Sequence, residues 1–257
     1  MSKVRTHETL VVQQFGSRAE AYLHSKSHAD SPDLQMLAGL VDETKQARVL
    51  DLGCGGGHVS YHVAPRAAEV VAYDLSPEML AVVSRTAIDR DLTNIVTQQG
   101  GVEKLPFPDE SFDYVFSRMS AHHWRDFEAG LREATRVLRK GGLAAFVDTV
   151  APPLPLLDTY VQAAELLRDP SHVRSYSRSE WEHAMARAGL RPEAVTARRS
   201  RVDFATWTAR METPPERVAA IRSLQSVMSE TVSSYYEFGP DGSFNLDVCF
   251  FQAVRMY

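Results

Sequence analysis

Several features that define whole classes of protein are missing from this chain. It has two cysteines, which excludes a disulfide-rich scaffold, and 14 glycines in 257 residues, which excludes a collagen-like repeat. A surplus of basic residues is also absent. The formal net charge is −5, which disfavours binding to a nucleic-acid backbone. One short basic run, Arg198–Arg201, is interpreted as a solvated strand edge and not as a binding patch.

Long apolar segments are missing as well. No stretch approaches the roughly 18 apolar residues needed to span a bilayer, and no apolar region of a signal peptide follows the polar N-terminal residues. Cys54 and Cys249 lie far apart and give no sign of a secreted, oxidised protein. We therefore expect a reduced cytoplasmic protein without a membrane span.

Short apolar runs alternate with helical segments through the middle of the chain. Strands are predicted at 47–51, 69–74, 94–98, 112–117 and 143–148. Ser76 and Pro77 are typical of a helix start, and Lys140–Gly142 is predicted to end a later helix. This alternation predicts an α/β protein with a doubly wound, mostly parallel sheet, in which ligands bind at the carboxyl ends of the strands.

The two ends of the chain add to this core and do not repeat it. We predict one domain over residues 1–257: a helical N-terminal lid (1–44), a cofactor-binding core (45–150), and a C-terminal part (151–257) that caps the substrate site and completes the sheet.

The strongest local signal is a glycine-rich loop directly after the first predicted strand. Glycines occupy positions 53, 55, 56 and 57, and glycine lets the backbone turn sharply and approach a ligand closely. A dinucleotide-binding loop would have its third glycine at position 58, which is His58, and a phosphate-binding G-x-x-x-x-G-K-[ST] segment is absent. The loop therefore suits a ligand without a pyrophosphate.

Two carboxylates accompany this loop. Asp74 ends the next strand, where an acid accepts hydrogen bonds from ribose hydroxyls. Asp51 directly precedes the glycines and suits a cationic, amino-bearing group. Together these residues predict an adenosine-like ligand that also carries an amino group.

With these motifs the sequence resembles the class I S-adenosylmethionine-dependent methyltransferases, and more narrowly the group with the ubiquinone and menaquinone C-methyltransferases. The resemblance covers roughly residues 10–150. It rests on four segments: Asp51–Gly57, Asp74–Leu80, Leu105–Asp113 and Leu138–Gly142. It implies a Rossmann-like methyltransferase fold with an antiparallel last strand, S-adenosylmethionine as cofactor and S-adenosylhomocysteine as product.

The resemblance also implies roles for individual residues. Asp51 and the backbone of Gly53, Cys54 and Gly55 would hold the methionine part, and Asp74 the ribose. The remaining implied cofactor residues are Leu75 and Met79 against the adenine, Val102 and Glu103 at its edge, and Arg118 near the methionine end. Many relatives carry Asp at the position of Gly101, so adenine recognition must differ here.

Candidate catalytic groups follow the fourth strand. His122 and His123 lie where the transferred methyl group is expected, and a histidine can act as a base near neutral pH. One of the two is expected to be structural. His58 and His62 have helical spacing, but Val59 replaces the glutamate of H-E-x-x-H and no third ligand is apparent, so no metal site is predicted.

Two further segments are candidate parts of the site. Residues 15–28 resemble the lid that closes over the cofactor in relatives, with Tyr22 as a candidate for catalysis and His28 for substrate binding. The polar loop at residues 171–177 is a candidate substrate lid, with Arg174 and Tyr176 as its candidate substrate residues.

The leading functional hypothesis is methyl transfer from S-adenosylmethionine to a small-molecule acceptor. The acceptor atom is open: a quinone-like aromatic carbon competes with nitrogen and oxygen. The alternative is a catalytically silent sensor that binds S-adenosylmethionine or S-adenosylhomocysteine, although its expected mark, loss of the ligand acids, is not seen at Asp51 and Asp74. A nucleic-acid methyltransferase is disfavoured because the chain lacks the Asn/Asp-Pro-Pro-aromatic motif.

Overall fold

A seven-stranded sheet forms the centre of the computed structural model, which describes residues 6–16 and 31–256. The strands, in chain order, are β1 (Arg48–Leu52), β2 (Glu69–Asp74), β3 (Ile95–Gln99), β4 (Phe112–Arg118), β5 (Leu138–Val150), β6 (Leu190–Val202) and β7 (Phe244–Arg255). Their spatial order is β3-β2-β1-β4-β5-β7-β6. Tyr22 and His28 lie outside the described residues.

Five strands are parallel and two are antiparallel. β3, β2, β1, β4 and β5 pair in parallel, whereas β7 runs antiparallel to β5 and β6 antiparallel to β7. The predicted α/β fold with a mostly parallel sheet and antiparallel last strands is therefore confirmed. The strand order reverses between β1 and β4, and the crevice at such a reversal is where open α/β sheets bind their ligands.

Helices cover the sheet. They are α1 (His7–Gly16), α2 (Pro32–Leu40), α3 (His58–Val63), α4 (Pro77–Asp89), α5 (Phe127–Val137), α6 (Pro155–Arg168), α7 (Arg178–Arg187), α8 (Phe204–Arg210), α9 (Pro215–Val227) and α10 (Glu230–Tyr236), with short 3₁₀ turns at Ala64–Arg66 and Ala121–His123. None of those within 6–16 and 31–256 has the length and apolar character to cross a bilayer.

The sequence signals for helix starts agree with the structure. The Ser76 hydroxyl accepts a hydrogen bond from the Met79 amide at 3.2 Å and caps α4, with Pro77 in its first turn. Asp126 caps α5 in the same way through the Ala129 amide at 2.9 Å. Each cap satisfies a backbone donor that the helix itself leaves without a partner.

Helix α5 does end before Lys140–Gly142, as predicted, but β5 begins earlier than the predicted residue 143. The helix ends at Val137, and Leu138 is already extended and paired with Phe112. The next pair joins Tyr114 to Leu143, so five steps along β5 match two steps along β4. The extra residues bulge out of the sheet, and the positive φ of Gly141, 71°, makes that bulge possible without strain.

The C-terminal part contributes to the sheet and also has an apolar cluster of its own. Its helices α6, α8, α9 and α10 pack around Tyr160, Trp207, Ile221 and Tyr236, all buried. By contrast, Trp181 of α7 is buried in the main core against Phe251 of β7. The carboxyl ends of β4 and β5 therefore have this C-terminal part on one side and the glycine loop on the other.

Candidate active site

The glycine loop is held against the end of β2 by its own backbone. The amides of Gly53 and Cys54 both donate to the carbonyl of Tyr73, at 2.8 and 3.0 Å. Gly53 has φ +70°, and a Cβ there would lie 2.0 Å from Ser120 Oγ. Gly55 also has positive φ, but a Cβ there would point into open space. The first glycine thus permits tight packing behind the loop, and the second leaves room in front of it.

Asp74 joins the loop to the helix that follows. Its carboxylate accepts the Gly55 amide at 2.8 Å through one oxygen and the Ser76 amide at 2.9 Å through the other. An ionised carboxylate has about four lone-pair sites, so both oxygens can still accept hydroxyl donors from a ligand. Burial is the main reason why the pKa of Asp74 is raised.

Asp51 presents a carboxylate oxygen without a partner. The side chain is fully buried, and Ser60 donates to Oδ2 through its amide at 3.0 Å and its hydroxyl at 2.6 Å. Within the described residues, Oδ1 receives no hydrogen bond. Burial, reinforced by the nearby Asp74, raises the pKa of Asp51 to about 7. A cationic donor at Oδ1 would supply the missing hydrogen bond and would lower the raised pKa.

These groups face a first cavity of about 1080 Å³ of empty space. It contains all ten residues that the sequence analysis assigned to the cofactor: Asp51, Gly53, Cys54, Gly55, Asp74, Leu75, Met79, Val102, Glu103 and Arg118. His123 also lines it, as do His7, Val11 and Phe15 of α1. The described part of the N-terminal segment therefore forms part of the cavity wall.

At the end of this cavity near Gly101, where adenine recognition is expected to differ, polar groups are already hydrogen-bonded within the protein. The Tyr73 hydroxyl donates to the carbonyl of Gly101 at 3.2 Å. Glu103 was expected at the adenine edge, and it lines the cavity, but its Oε1 accepts the amides of Arg125 and Asp126 at 3.1 and 3.3 Å. One oxygen of Glu103 and the carbonyl of Gly101 are therefore already hydrogen-bonded within the protein.

A second cavity, with about 1640 Å³ of empty space, lies on the other side of the end of β4. It is lined from β4 and the turn after it, from α6 and α8, and from β6 and β7. Four residues belong to the walls of both cavities: Phe15, Arg118, Met119 and His123. Met119 has φ +51°, a strained conformation for a side chain of this size, at the junction.

His122 lines the second cavity and is paired with an acid. Its Nδ1 donates to Asp148 Oδ1 at 2.6 Å, and its amide donates to Oδ2 at 3.3 Å. Burial lowers the pKa of His122, but the Asp148 carboxylate outweighs it, so the net pKa is raised. Because Nδ1 is bound to Asp148, Nε2 is the nitrogen left to exchange a proton with a ligand.

His123 has a different environment. Its Nδ1 donates to the carbonyl of Ser171 at 3.0 Å, and its ring packs edge-on against Phe15 at 4.9 Å. Burial, together with the charge of His122, lowers the pKa of His123 to about 4. This ring is therefore neutral near pH 7 and bound to a backbone carbonyl.

Arg118 contributes a buried positive charge to the junction. Its side chain is 6% exposed, and its Nε lies 3.8 Å from Asp33 of α2. Asp33 is also bound by Arg198 of β6 at 2.7 Å and by the Ser31 hydroxyl at 2.7 Å. Burial is the main reason why the pKa of Arg118 is lowered.

The predicted substrate residues Arg174 and Tyr176 do not line either cavity. Arg174 pairs with Asp158 at 3.0 Å and Glu180 at 3.2 Å, and the Tyr176 ring stacks on Phe127 at 4.0 Å. Their loop does reach the site through its backbone, since the amides of Val173 and Arg174 donate to the carbonyl of His122. The backbone of the polar loop thus holds His122 in place, while the side chains of Arg174 and Tyr176 contact residues outside both cavities.

Sequence reasoning missed Asp148, Asp33 and Arg198. Asp148 could have been found, because it lies near the carboxyl end of β5, where the same rule that identified Asp74 applies. Arg198 was interpreted as part of a solvated strand edge. β6 is indeed an edge strand, yet Arg198 turns toward Asp33 and the second cavity.

The first cavity fits the cofactor that the resemblance implies. The open oxygen of Asp51 suits the amino group of S-adenosylmethionine, and the two accepting oxygens of Asp74 suit its ribose hydroxyls. The open space at Gly55 allows a ligand to approach the backbone closely.

Comparison with known proteins agrees with this geometry. Residues 50–146 match the family described as Methyltransferase domain. The chain is 42% identical to the uncharacterised protein YafE of Escherichia coli, over 79% of this chain and 98% of that protein. It is 36% identical to the uncharacterised methyltransferase YcgJ of Bacillus subtilis, over 79% of this chain and 80% of the relative.

The crystal structure of YcgJ superposes with a TM-score of 0.84 at 32% identity, covering 87% of this chain and 98% of that one. A shorter match joins the chain to the demethylmenaquinone methyltransferase of Chlorobaculum parvum, with 33% identity over 46% of this chain and 47% of the relative. Family match, relatives and superposed fold all lead to the same result. The chain belongs to the class I S-adenosylmethionine-dependent methyltransferases, and it is an enzyme of that class.

Proposed function

We propose that this enzyme binds S-adenosylmethionine in the first cavity and transfers its methyl group to a small-molecule acceptor in the second. The observation that carries the proposal is the shared wall, formed by Phe15, Arg118, Met119 and His123. If one ligand occupied each cavity, the two would meet at these residues. Their reacting atoms would then lie at the carboxyl end of β4.

The main task of the protein in this reaction is positioning. When bound, S-adenosylmethionine supplies a methyl group on a positively charged sulfur that is already activated for displacement. Holding two reactants in line can contribute about 7–11 kcal/mol toward the barrier. Asp51 and Asp74 would fix the cofactor from two sides, and helix α1 would exclude water from above.

We assign the role of base to His122. The acceptor atom forms its new bond to the methyl carbon while the sulfur keeps the electron pair of the bond that breaks. If the acceptor atom carries a proton, Nε2 of His122 takes it. Asp148 then stabilises the resulting imidazolium through its bond to Nδ1 at 2.6 Å. His123 would keep a structural role at the junction.

The proposal is tested by incubating the full chain with S-adenosylmethionine labelled in its methyl group and a deproteinised cell extract. The products are then split into lipid and aqueous phases, with Asp74→Ala as the weakly binding control. At a low concentration of S-adenosylmethionine, we expect label in a small molecule with the wild type and far less with the control. Label in the lipid phase would favour a quinone-like acceptor, and label in the aqueous phase a polar one.

The opposite result is equally informative. A wild-type protein that binds S-adenosylhomocysteine in calorimetry yet transfers no label to either phase would contradict the proposal. That outcome would favour a sensor of the cofactor.

A further inference from the structure

The second cavity is lined by an unusual number of arginines. Five line it, drawn from four elements: Arg118, Arg168, Arg198, Arg201 and Arg210. Its acidic lining residues are Glu165, Asp169 and Asp203. The charge available to a ligand depends on which of these groups are already paired inside the protein.

The three acids all have partners. Glu165 binds Arg168 at 3.0 Å, and Arg168 also lies over the Trp207 ring at 4.9 Å. The Asp169 carboxylate accepts the Ser171 hydroxyl at 2.6 Å and its amide at 2.8 Å. Asp203 caps helix α8 through the Thr206 amide at 2.8 Å. None of them compensates Arg118 or Arg198.

Arg118 and Arg198 share a single carboxylate. Asp33 receives two hydrogen bonds from Arg198, at 3.2 and 2.7 Å, whereas its nearest contact with Arg118 is 3.8 Å. Two guanidinium groups share this one carboxylate, so one of the two has no ion-pair partner of its own among the described residues. Within the described residues the Arg118 Nε has no hydrogen-bond partner, although the side chain is 6% exposed. A buried charge in this state is costly unless a counter-charge joins it.

Two other acids near Arg118, Asp51 and Asp148, attract its charge from a distance but form no ion pair with it among the described residues. Asp148 is bound to His122, and Asp51 to Ser60. The position of Arg118 in the wall of both cavities means that an anion beside it would also lie beside the reacting atoms. Arg198 lines the second cavity and not the first, so the pair faces the acceptor side.

We infer that the methyl acceptor carries an anionic group, a carboxylate or a phosphate, which Arg118 and Arg198 bind at the junction of the two cavities. This inference rests on the proposed function. The same chemistry has a second possible source, the carboxylate of the cofactor's methionine part. The two sources are separable because Arg198 does not line the cofactor cavity.

The test starts from the extract used above. Before the reaction, the deproteinised extract is passed over an anion exchanger, and the retained and unretained fractions are each offered to the enzyme with labelled S-adenosylmethionine. The variants are Arg198→Gln, Arg198→Lys, and Arg199→Gln as the matched control. Arg199 is the next residue on the same strand but pairs with Glu237 and Asp247, outside both cavities. Affinity for S-adenosylhomocysteine is measured on every variant.

We expect the label in the retained fraction. In Arg198→Gln, Asp33 becomes available to Arg118 alone, so Arg118 no longer shares its ion-pair partner. The acceptor fraction needed for half-maximal rate should rise about 10- to 100-fold, the factor that corresponds to a lost hydrogen bond between charged groups. Arg198→Lys should recover part of this loss. Arg199→Gln should behave like the wild type, and S-adenosylhomocysteine affinity should stay unchanged throughout.

Three results would overturn the inference. Label confined to the unretained fraction would show an uncharged or cationic acceptor while leaving methyl transfer intact. A loss of S-adenosylhomocysteine affinity in Arg198→Gln, with the acceptor requirement unchanged, would assign the arginines to the cofactor. No label in either fraction, from protein that binds S-adenosylhomocysteine, would contradict the proposed function itself.

Discussion

The first cavity draws its walls from one compact stretch of chain, residues 51–125, together with helix α1. The second draws on Phe15 of α1 and on segments that are far apart in the chain: 118–123, 149, 165–169, 198–210 and 246–248. Both open at the same edge of the sheet. Consecutive βα units therefore build the proposed cofactor side, whereas the proposed acceptor side exists only after the C-terminal part has packed against β4 and β5.

This difference determines which residues of each cavity can be replaced without disturbing the others. Replacing a residue of the glycine loop disturbs a local structure in which backbone amides, Asp51 and Asp74 depend on each other. The acceptor side is assembled from side chains on α6, α8 and β6, which can change one at a time without affecting the loop. A family with one cofactor and many acceptors is the expected consequence.

Removing the proposed base should have the largest effect and gives the strongest test of the difference between the two cavities. His122→Ala should lower kcat by about 100- to 10,000-fold, the usual contribution of a positioned acid or base, when the acceptor atom carries a proton. Its ring lines the second cavity and not the first, so S-adenosylhomocysteine affinity should remain as in the wild type. Steady-state kinetics and calorimetry measure the two quantities. Full turnover in both His122→Ala and His123→Ala would show that neither histidine is the base.

The pH profile refines this prediction. Since Asp148 raises the pKa of His122 and the base must be neutral, activity should rise with pH, with a midpoint above the ordinary histidine pKa. Asp148→Asn removes the charge that stabilises the protonated ring, so the midpoint should move to lower pH. An Asp148 with a merely structural role would lower the rate without moving the profile.

The next effect in size belongs to the cofactor side. Asp74→Ala removes the ribose acceptor and also the partner of the Gly55 and Ser76 amides. We expect S-adenosylhomocysteine to bind about 100-fold more weakly, which corresponds to about 3 kcal/mol, the upper range for hydrogen bonds to a charged group. Calorimetry measures it, with Asp74→Asn as an intermediate case. Unchanged affinity in Asp74→Ala would refute the ribose role.

The sequence predicted the residues of the first cavity more completely than those of the second, for a physical reason. Every assigned cofactor residue lines the first cavity, because Asp51 and Asp74 lie at strand ends and parallel strands bring those ends together. The acceptor side depends on which residue of an edge strand turns inward. Alternation along β6 does not reveal that Arg198 meets Asp33, a residue 165 positions away. The start of β5 was missed for a related reason, since the pairing of Leu138 with Phe112 extends the strand through the glycines.

Asp51 gives a smaller effect that depends on pH. With its pKa near 7, the carboxylate must lose a proton before it can hold a cationic amino group. Wild-type affinity for S-adenosylhomocysteine should therefore fall about tenfold between pH 8 and pH 6. Asp51→Asn should bind more weakly at pH 8 and show a flat profile. Calorimetry at pH 6, in two buffers of different ionisation enthalpy, should detect release of close to one proton on binding to the wild type, because most of the free Asp51 is protonated at that pH.

Stability of the ligand-free protein should change in the opposite sense. A buried acid with a raised pKa favours the folded state while it is protonated, and this contribution is lost as the pH rises from about 4 to about 7. Thermal unfolding of Asp51→Asn should consequently depend less on pH across this window. An equally steep wild-type and variant profile would mean that Asp51 titrates normally.

The smallest effect is expected at the two loop residues outside both cavities. Arg174→Gln removes ion pairs with Asp158 and Glu180, partly exposed contacts of which each contributes at most about 1 kcal/mol to folding. Tyr176→Phe keeps the ring that stacks on Phe127. Neither variant should change cofactor affinity or the acceptor requirement by more than about twofold. A larger change in the acceptor requirement alone would mean that the 171–177 loop moves toward the second cavity when the acceptor binds, so that the acceptor side is completed by its ligand while the cofactor side is formed in advance.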